Sequence, residues 1–113
     1  MKPNTALALK RKLILNALNQ NIAEKYPSHL NIRFGVSNHF IDRLSERHNG
    51  NFDRAFFEVI EAIETNICLI IYFIHLDCVL PDRGRIRHDD FEIRGNVIDG
   101  RYVLTTFIGN DLS

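Results

Sequence analysis

Residues 85–108 decide the fold class of this chain and read RIRHDDFEIRGNVIDGRYVLTTFI. β-Branched and aromatic residues alternate with polar ones along this segment, which is typical of strands with one buried face. Asp99-Gly100 is a strong signal for a two-residue hairpin turn. The segment therefore predicts two or three antiparallel strands, which we place at residues 85–88, 91–98 and 101–108.

Helical periodicity marks the sequence before this sheet. Apolar residues recur at helical spacing over residues 4–24, and basic residues lie in the middle of that helix. A second helix is predicted from Ser37 to about His48, and a third over residues 52–65. Ser37 and Asn51 are favoured residues for the N-cap positions of these two helices.

The segment between the third helix and the sheet is ambiguous. Residues 67–80 are dense in β-branched and aromatic residues, which favours a buried strand interrupted near Asp77. A helix that continues from the third one is the alternative, and periodicity leaves both open. With the strand interpretation, the chain forms one α+β domain of two layers. Residues 1–66 then supply helices that pack on an antiparallel sheet in residues 67–113.

Charge is distributed unevenly, although 14 Lys and Arg balance 14 Asp and Glu over the whole chain. Residues 1–50 hold eight basic against three acidic residues, and residues 51–113 hold six against eleven. A basic half can bind a polyanion even in a neutral protein, and solvated surface charge is the alternative explanation.

The sequence predicts a cytoplasmic protein. The longest strictly apolar run, Ile67 to Ile74, is far shorter than the roughly 20 residues that a membrane span needs. The first residues lack a signal-peptide pattern. Cys68 and Cys78 lie in an apolar stretch, which favours buried free thiols in a reducing compartment, and a disulfide is the alternative.

The second helix carries a candidate group for proton transfer. Its predicted apolar stripe consists of Phe40, Ile41 and Leu44. Arg47 is expected to face away from that stripe. His39 falls in the first turn, where the partial positive charge of the helix N-terminus favours a neutral imidazole. With Arg43 one turn later on the same side, His39 suits proton transfer beside a phosphate, and a capping or surface histidine is the alternative.

Arginines of the first predicted sheet strand are candidates for phosphate binding. Arg85 and Arg87 project from one strand face, and Ile86 and His88 from the other. Two guanidinium groups on one face suit a phosphate clamp, whereas a charged edge strand that resists aggregation is the alternative. The sequence shows no zinc-ligand spacing and no glycine-rich phosphate loop, so we expect no metal and no cofactor.

The second helix resembles a helix of the phage RegB endoribonucleases, which belong to the wider group of RelE-like toxin nucleases. The likeness rests on residues 36–43, VSNHFIDR, which fit a Ser-x-His-x-x-Asp-Arg pattern and are followed by Arg47. Both have a basic helix before this one, a Phe-Glu-x-x-x-x-Ile pattern, here residues 57–63, and a hairpin with an Asp-Gly turn. The resemblance implies a RelE/RegB-like fold, with helices packed on an antiparallel sheet.

The resemblance also implies metal-independent cleavage of single-stranded messenger RNA, in which the ribose 2′-hydroxyl attacks the adjacent phosphate and leaves a 2′,3′-cyclic phosphate. The first catalytic histidine of the family corresponds to His39. The second corresponds to Glu61, a departure that still supplies a carboxylate for general-base catalysis. If Glu61 does not face His39, His48 or His88 is the alternative partner, or the protein binds RNA without cutting it. His48 lies at a helix end, where interaction with the helix dipole is the simpler explanation.

Other candidate residues would hold the substrate. Four arginines are candidates for contacting phosphate: Arg43, Arg47, Arg85 and Arg87. Exposed aromatic rings, for example Tyr102 or Tyr72, would stack on bases. Thr106 on the last strand is a candidate phosphate donor, and ordinary β-propensity is the alternative reason for its presence.

The second functional hypothesis is a small phage or mobile-element protein that binds and inhibits a host protein or nucleic-acid enzyme without catalysis. It predicts dispersed histidines and an exposed apolar patch, for which residues 67–74 are the candidate. A homodimer through the same residues is compatible with either hypothesis. Under the first hypothesis the partner is single-stranded RNA, ribosome-associated message included, in the host cytoplasm if the protein is phage-encoded.

Overall fold

The computed structural model describes residues 3–76 and 84–109, which form an α+β fold. This part of the chain contains four α-helices and a four-stranded sheet. The helices are α1 (Pro3–Asn16), α2 (Asn38–Glu46), α3 (Phe52–Thr65) and α4 (Ile67–Leu76). The strands are β1 (Phe34–Val36), β2 (Arg85–His88), β3 (Phe91–Ile98) and β4 (Arg101–Gly109). The predicted α+β class is confirmed.

Helices α2 and α3 begin where their capping residues predict. The Ser37 hydroxyl accepts a hydrogen bond from Phe40 N at 3.1 Å, and Asn51 Oδ1 accepts one from Arg54 N at 3.3 Å. Each bond satisfies a backbone N–H that the helix itself cannot pair. The predicted apolar stripe of α2 is also confirmed, since its three members are fully buried: Phe40, Ile41 and Leu44.

The first predicted helix continues past the end of α1. After Asn16 the chain forms a π-helical turn (Ala17–Ile22) and then a 3-10 turn (Ala23–Lys25), so the helical path covers the predicted residues. Within the π-helical turn, Asn19 Oδ1 accepts a hydrogen bond from Phe34 N at 3.1 Å. This bond joins the N-terminal helix to the start of β1.

The sheet has the strand order β1-β4-β3-β2. Strands β2, β3 and β4 are antiparallel neighbours, and their bounds match the prediction to within one residue. Strand β1 is parallel to β4, so the prediction of a purely antiparallel sheet is wrong. Its three residues are too few to show an alternating pattern, and backbone pairing holds them in place. Tyr102 N donates to Arg33 O and Ser37 N donates to Leu104 O, each at 2.9 Å.

Two-residue turns connect the antiparallel strands. Asp99 and Gly100 have φ values of 53° and 75°, and a type I′ hairpin turn requires positive φ at both positions. The predicted hairpin is therefore confirmed. The turn between β2 and β3 is also two residues long, and its first residue, Asp89, has a φ of 49°.

Residues 67–76 form α4, so the strand prediction is wrong and the helical alternative is right. The buried residues recur at every third position: Ile67, Ile70 and Phe73. The side exposed to solvent carries Cys68, Leu69 and Tyr72. Part of the run that the second hypothesis names as an exposed apolar patch is therefore exposed and part of it is buried. β-Branched residues misled the prediction because core packing overrides their preference for strands. The helices therefore extend past residue 66, where the sequence predicted the helical part of the chain to end. Residues 77–80 of the predicted strand lie outside the described residues.

Tyr102 lies at the centre of the core, so the prediction that its ring is exposed for base stacking is wrong. Alternation along β4 turns Tyr102 and Leu104 inward, and both are fully buried. The Tyr102 ring stacks on Phe73 with centroids 5.9 Å apart, and its hydroxyl donates to Gly84 O at 2.7 Å. Burial raises the pKa of Tyr102. The ring lies against Gly95, where an added Cβ would be 2.6 Å from Tyr102 Cζ.

Gly95→Ala is expected to lower the free energy of unfolding by about 1–3 kcal/mol, because the added methyl group overlaps the Tyr102 ring. Urea unfolding followed by circular dichroism measures this loss. In a Tyr102→Leu background the ring is absent, so Gly95→Ala should lower the free energy of unfolding by less. An equal loss of free energy in the two backgrounds would contradict the proposed overlap with the Tyr102 ring.

Candidate functional site

The start of α2 is tied to β4. The Ser37 hydroxyl, which caps the helix, also donates a hydrogen bond to Thr105 O at 3.0 Å. Strand β1 ends at Val36 while β4 continues to Gly109, so the first turn of α2 lies beside the second half of β4. His39 belongs to this first turn, and its side chain is exposed. The structure thus places His39 at the border of the sheet.

Basic side chains from two elements lie near this first turn. Arg11 Nη1 on α1 donates a hydrogen bond to Asn38 Oδ1 at 3.2 Å. Asn38 directly precedes His39 in the chain. Arg43, the predicted neighbour of His39, is exposed and pairs with Glu46 at 3.5 Å. An exposed ion pair of this kind is weak, so Arg43 can exchange Glu46 for another anion.

The solvent-facing side of the sheet carries a row of polar side chains. Arg85 pairs with Arg94, and Arg94 pairs with Thr106, in the register of β2, β3 and β4. Residues paired across antiparallel strands project from the same face, so these three form a row about 10 Å long. Arg87 is exposed beside the row while Ile86 is buried, which confirms the predicted alternation along β2.

Glu92 orders this surface, which we call the arginine face (Arg85, Arg87, Arg94 and Thr106). Glu92 accepts hydrogen bonds from the Nε of Arg94 at 2.7 Å and from the Nε of Arg87 at 3.2 Å. The hydrogen bond from Arg94 does most to lower the pKa of Glu92 below its usual value. Glu92 thus pairs with both Arg87 and Arg94, two guanidinium groups that share one carboxylate. Sequence reasoning missed Arg94, although its polar position in the alternation of β3 is visible.

The other end of α2 contains a buried ion-pair network. The Arg47 side chain is 2 % exposed, so the prediction that it faces away from the core is wrong. Its guanidinium donates to Glu58 Oε1 at 2.9 Å and to Asp90 Oδ1 at 2.7 Å. It also lies over the Phe91 ring, 5.1 Å from the centroid. A guanidinium held in this way stabilises the fold and does not reach a phosphate in solvent, so the geometry does not support Arg47 as a substrate contact.

Helical spacing explains why Arg47 points inward. Arg47 comes three residues after the buried Leu44, so it continues the apolar stripe of α2. After Glu46 the chain forms a 3-10 turn, in which His48 and Asn49 have φ values of 53° and 58° and redirect the chain toward α3. Burial alone would raise the pKa of Glu58, but hydrogen bonds from Arg47 and His48 outweigh it and hold the pKa below its usual value.

Two predicted catalytic histidines flank this network. His48 Nε2 lies 2.5 Å from Glu58 Oε1, and His88 Nε2 lies 3.9 Å from Glu61 Oε1. Glu58 and Glu61 are one turn apart on α3, so the two histidines lie near the same side of that helix. The structure therefore brings Glu61 together with His88, and His48 together with Arg47.

Charge distinguishes the two ends of α2. The histidines of the network are surrounded by carboxylates that Arg47 only partly neutralises: Glu58, Glu61, Asp89 and Asp90. Such a surface repels a phosphate group at neutral pH. His39 lies about 12 Å away from Arg47 along the helix axis, at the end of α2 where Ser37 contacts β4, the strand that also carries Thr106. A phosphate-containing ligand therefore fits the His39 end better.

Comparison with models of known protein families, with curated proteins and with solved structures finds no match for this chain. What His39 and the arginine face can do therefore follows from their own geometry and chemistry.

Residues 3–76 and 84–109 contain neither a metal-binding cluster nor a membrane-spanning helix. Within those residues, no group of three or more His, Cys, Asp or Glu side chains is arranged to hold a metal ion. None of the helices there has the length and apolar character that crossing a bilayer requires. Cys68 is an exposed free thiol on α4, so its predicted burial is wrong, and Cys78 lies outside the described residues.

Glu58→Gln is expected to lower the free energy of unfolding at neutral pH by about 3 kcal/mol, because it removes the charge that pairs with the buried Arg47. The contribution of Glu58 is complete above the unfolded pKa of about 4.5 and is lost as pH falls through the lower folded pKa. The variant should therefore lose less stability than the native chain when the pH is lowered below about 4.5. Chemical unfolding across this pH range, with exposed Glu64→Gln on the same helix as the control, measures the difference. The same pH dependence in the native chain and in Glu58→Gln would contradict this role.

Proposed function

We propose that the chain is a metal-independent endoribonuclease that binds single-stranded RNA across the arginine face and cuts it beside His39. The row formed by Arg85, Arg94 and Thr106 carries this proposal, because it ends on the strand that borders the first turn of α2. A messenger RNA substrate implies action in the cytoplasm, that of a host cell if the protein is phage-encoded.

The arginine face suits RNA phosphates for two reasons. A guanidinium supplies five N–H donors, and Glu92 takes only the Nε–H of Arg87 and of Arg94. Their terminal nitrogens are thus in position for paired hydrogen bonds to a phosphate. Because Glu92 already orders both side chains, less conformational entropy is lost when a phosphate binds.

His39 is the proton acceptor in the proposed reaction. It takes the proton of a ribose 2′-hydroxyl, and the 2′-oxygen attacks the adjacent phosphorus. The bond from phosphorus to the 5′-oxygen breaks, and the leaving oxygen takes a proton from water. The products are a 2′,3′-cyclic phosphate and a 5′-hydroxyl. Arg94 and its neighbours on the arginine face stabilise the additional negative charge of the phosphorane.

This mechanism uses fewer residues than the family resemblance implies. His48 and His88 are engaged at the acidic end of α2, with Glu58 and Glu61 respectively, so we assign none of these four a proton-transfer step. A RelE/RegB-like fold is part of the same proposal. It is supported by helices that precede consecutive antiparallel strands β2, β3 and β4.

Binding without cleavage is the second candidate function, as in a small phage or mobile-element protein that inhibits a host enzyme. The separation of the histidines favours it, because His39 lies at one end of α2 and His48 just beyond the other. An arginine face without a second acid–base group can still bind RNA. The assay below distinguishes the two functions.

Purified protein incubated with a labelled messenger RNA leader in EDTA is expected to produce discrete cuts with 2′,3′-cyclic phosphate ends. His39→Ala should lower the rate by about 100-fold or more, because a positioned general base contributes about 10²–10⁴. His29→Ala is the matched control, since His29 is also exposed but lies in the 3-10 turn Ser28–Leu30. Mapping the 3′ ends of the fragments measures both effects.

Two results would count against this assignment. Cleavage by His39→Ala at the native rate would exclude His39 as the base. If the folded native chain binds the leader and never cuts it, binding without cleavage becomes the better description.

Arg94→Gln is expected to weaken binding to single-stranded RNA and to reduce the slope of log K against log salt by about 0.7, the value for one phosphate contact on a single strand. Fluorescence anisotropy at several salt concentrations measures the slope. Arg54→Gln removes the same charge from an exposed position on α3 and should leave the slope unchanged. Equal slopes for the two variants would show that the arginine face is not the RNA site.

A further inference from the structure

The helical side of the protein exposes large apolar side chains. Phe57 is 76 % exposed, Leu13 is 55 % exposed and Leu9 is 50 % exposed. Leu9 and Leu13 are one turn apart on α1, and Phe57 lies on α3; we call these three residues the α1–α3 patch. Clustered apolar side chains of this size in water mark a surface that gains free energy when it is covered.

A groove of about 390 Å³ runs between the two helices next to the patch. Its apolar lining is formed by Leu13, Ala17, Phe56, Phe57 and Ile60. The patch is therefore concave in part, so apolar side chains of a partner can enter it and be desolvated.

The geometry points to a second copy of this chain as the occupant of this groove. Helix α1 contains no acidic residue and exposes Lys12, whereas its Arg11 contacts Asn38 of α2 away from the groove. Helix α3 exposes Asp53 and Glu64, and Glu64 lines the groove. The α1 side thus supplies a basic residue and the α3 side two acidic residues. A two-fold axis along the groove places α1 of one copy opposite α3 of the other, so opposite charges meet.

One contact shows how α1 and α3 are aligned along the groove. Lys10 Nζ lies 5.2 Å from the centroid of the Phe52 ring, so the middle of α1 is level with the start of α3. Rotation about a two-fold axis along the groove does not move residues along that axis, so the alignment also holds between the two copies. Lys12 of one copy then comes opposite Asp53 of the other, and Phe57 comes against Leu13. This inference is independent of the proposed nuclease function.

Sedimentation velocity over a micromolar concentration series tests the dimer. The native chain is expected to approach twice the monomer mass as concentration rises. Phe57→Glu places a charge at the centre of the interface in both copies and should raise the dimer Kd by about 100-fold or more. Ile98→Glu is the matched control, because Ile98 is an apolar residue with 46 % exposure at the end of β3. Leu13→Glu makes the same test should Phe57→Glu fail to fold by circular dichroism.

Charge reversal tests the orientation of the two copies. Lys12→Glu and Asp53→Lys should each weaken the dimer, and the double variant should recover most of the native affinity. The dimer proposal is overturned if the native chain stays monomeric at every concentration, or if Phe57→Glu and Leu13→Glu leave the dimer intact. A dimer that is lost in Phe57→Glu but indifferent to both charge reversals overturns the two-fold arrangement along the groove.

Discussion

The ion pairs of Arg47 are the interaction on which the rest of the fold depends. The guanidinium joins the end of α2 to Glu58 on α3 and to Asp90 before β3, and it lies over the rings of Phe91 and Phe107. A charge with 2 % side-chain exposure is tolerated only when its N–H groups are paired, and both carboxylates contribute to that pairing. Because three elements meet at one guanidinium, the position of α2 over the sheet is determined at this end of the helix.

As a result, the residues that stabilise the fold and the residue proposed to act on a ligand lie at opposite ends of α2. The C-terminal end of α2 leads into the ion-pair network of Arg47, and the carboxylates around that network repel an anion. The first turn is held by the hydrogen bond from Ser37 to Thr105, which leaves His39 exposed. Positive charge is available to solvent on the arginine face, where Glu92 orders Arg87 without neutralising the whole surface. The α1–α3 patch lies on the helical side of the molecule, so a dimer formed there leaves both arginine faces open.

Features that depend on residues close in sequence could be predicted, and those that depend on distant partners could not. Capping by Ser37 and Asn51 requires one side chain and a neighbouring N–H, and the Asp99-Gly100 turn requires two φ angles. Arg47 comes three residues after Leu44, which is the spacing of the buried stripe of α2, but an arginine is rarely buried unless it is paired. Its carboxylate partners come 11 and 43 residues later in the chain, so the local pattern does not contain the groups that allow it to be buried.

In the arginine face, the strand pairing of β2 with β3 could be predicted from the sequence, but that of β3 with β4 could not. The two-residue turn between β2 and β3 is enough to pair Arg85 with Arg94, because register follows from turn length. Counting back from the Asp99-Gly100 turn would place Thr105 opposite Arg94, yet the partner is Thr106, because the register shifts between Arg94 and Gly95. That shift occurs where the backbone passes the buried Tyr102 ring, at a position with no room for a side chain. Core packing therefore decides which threonine hydroxyl joins the row of Arg85 and Arg94, and the alternation of β4 alone cannot supply that choice.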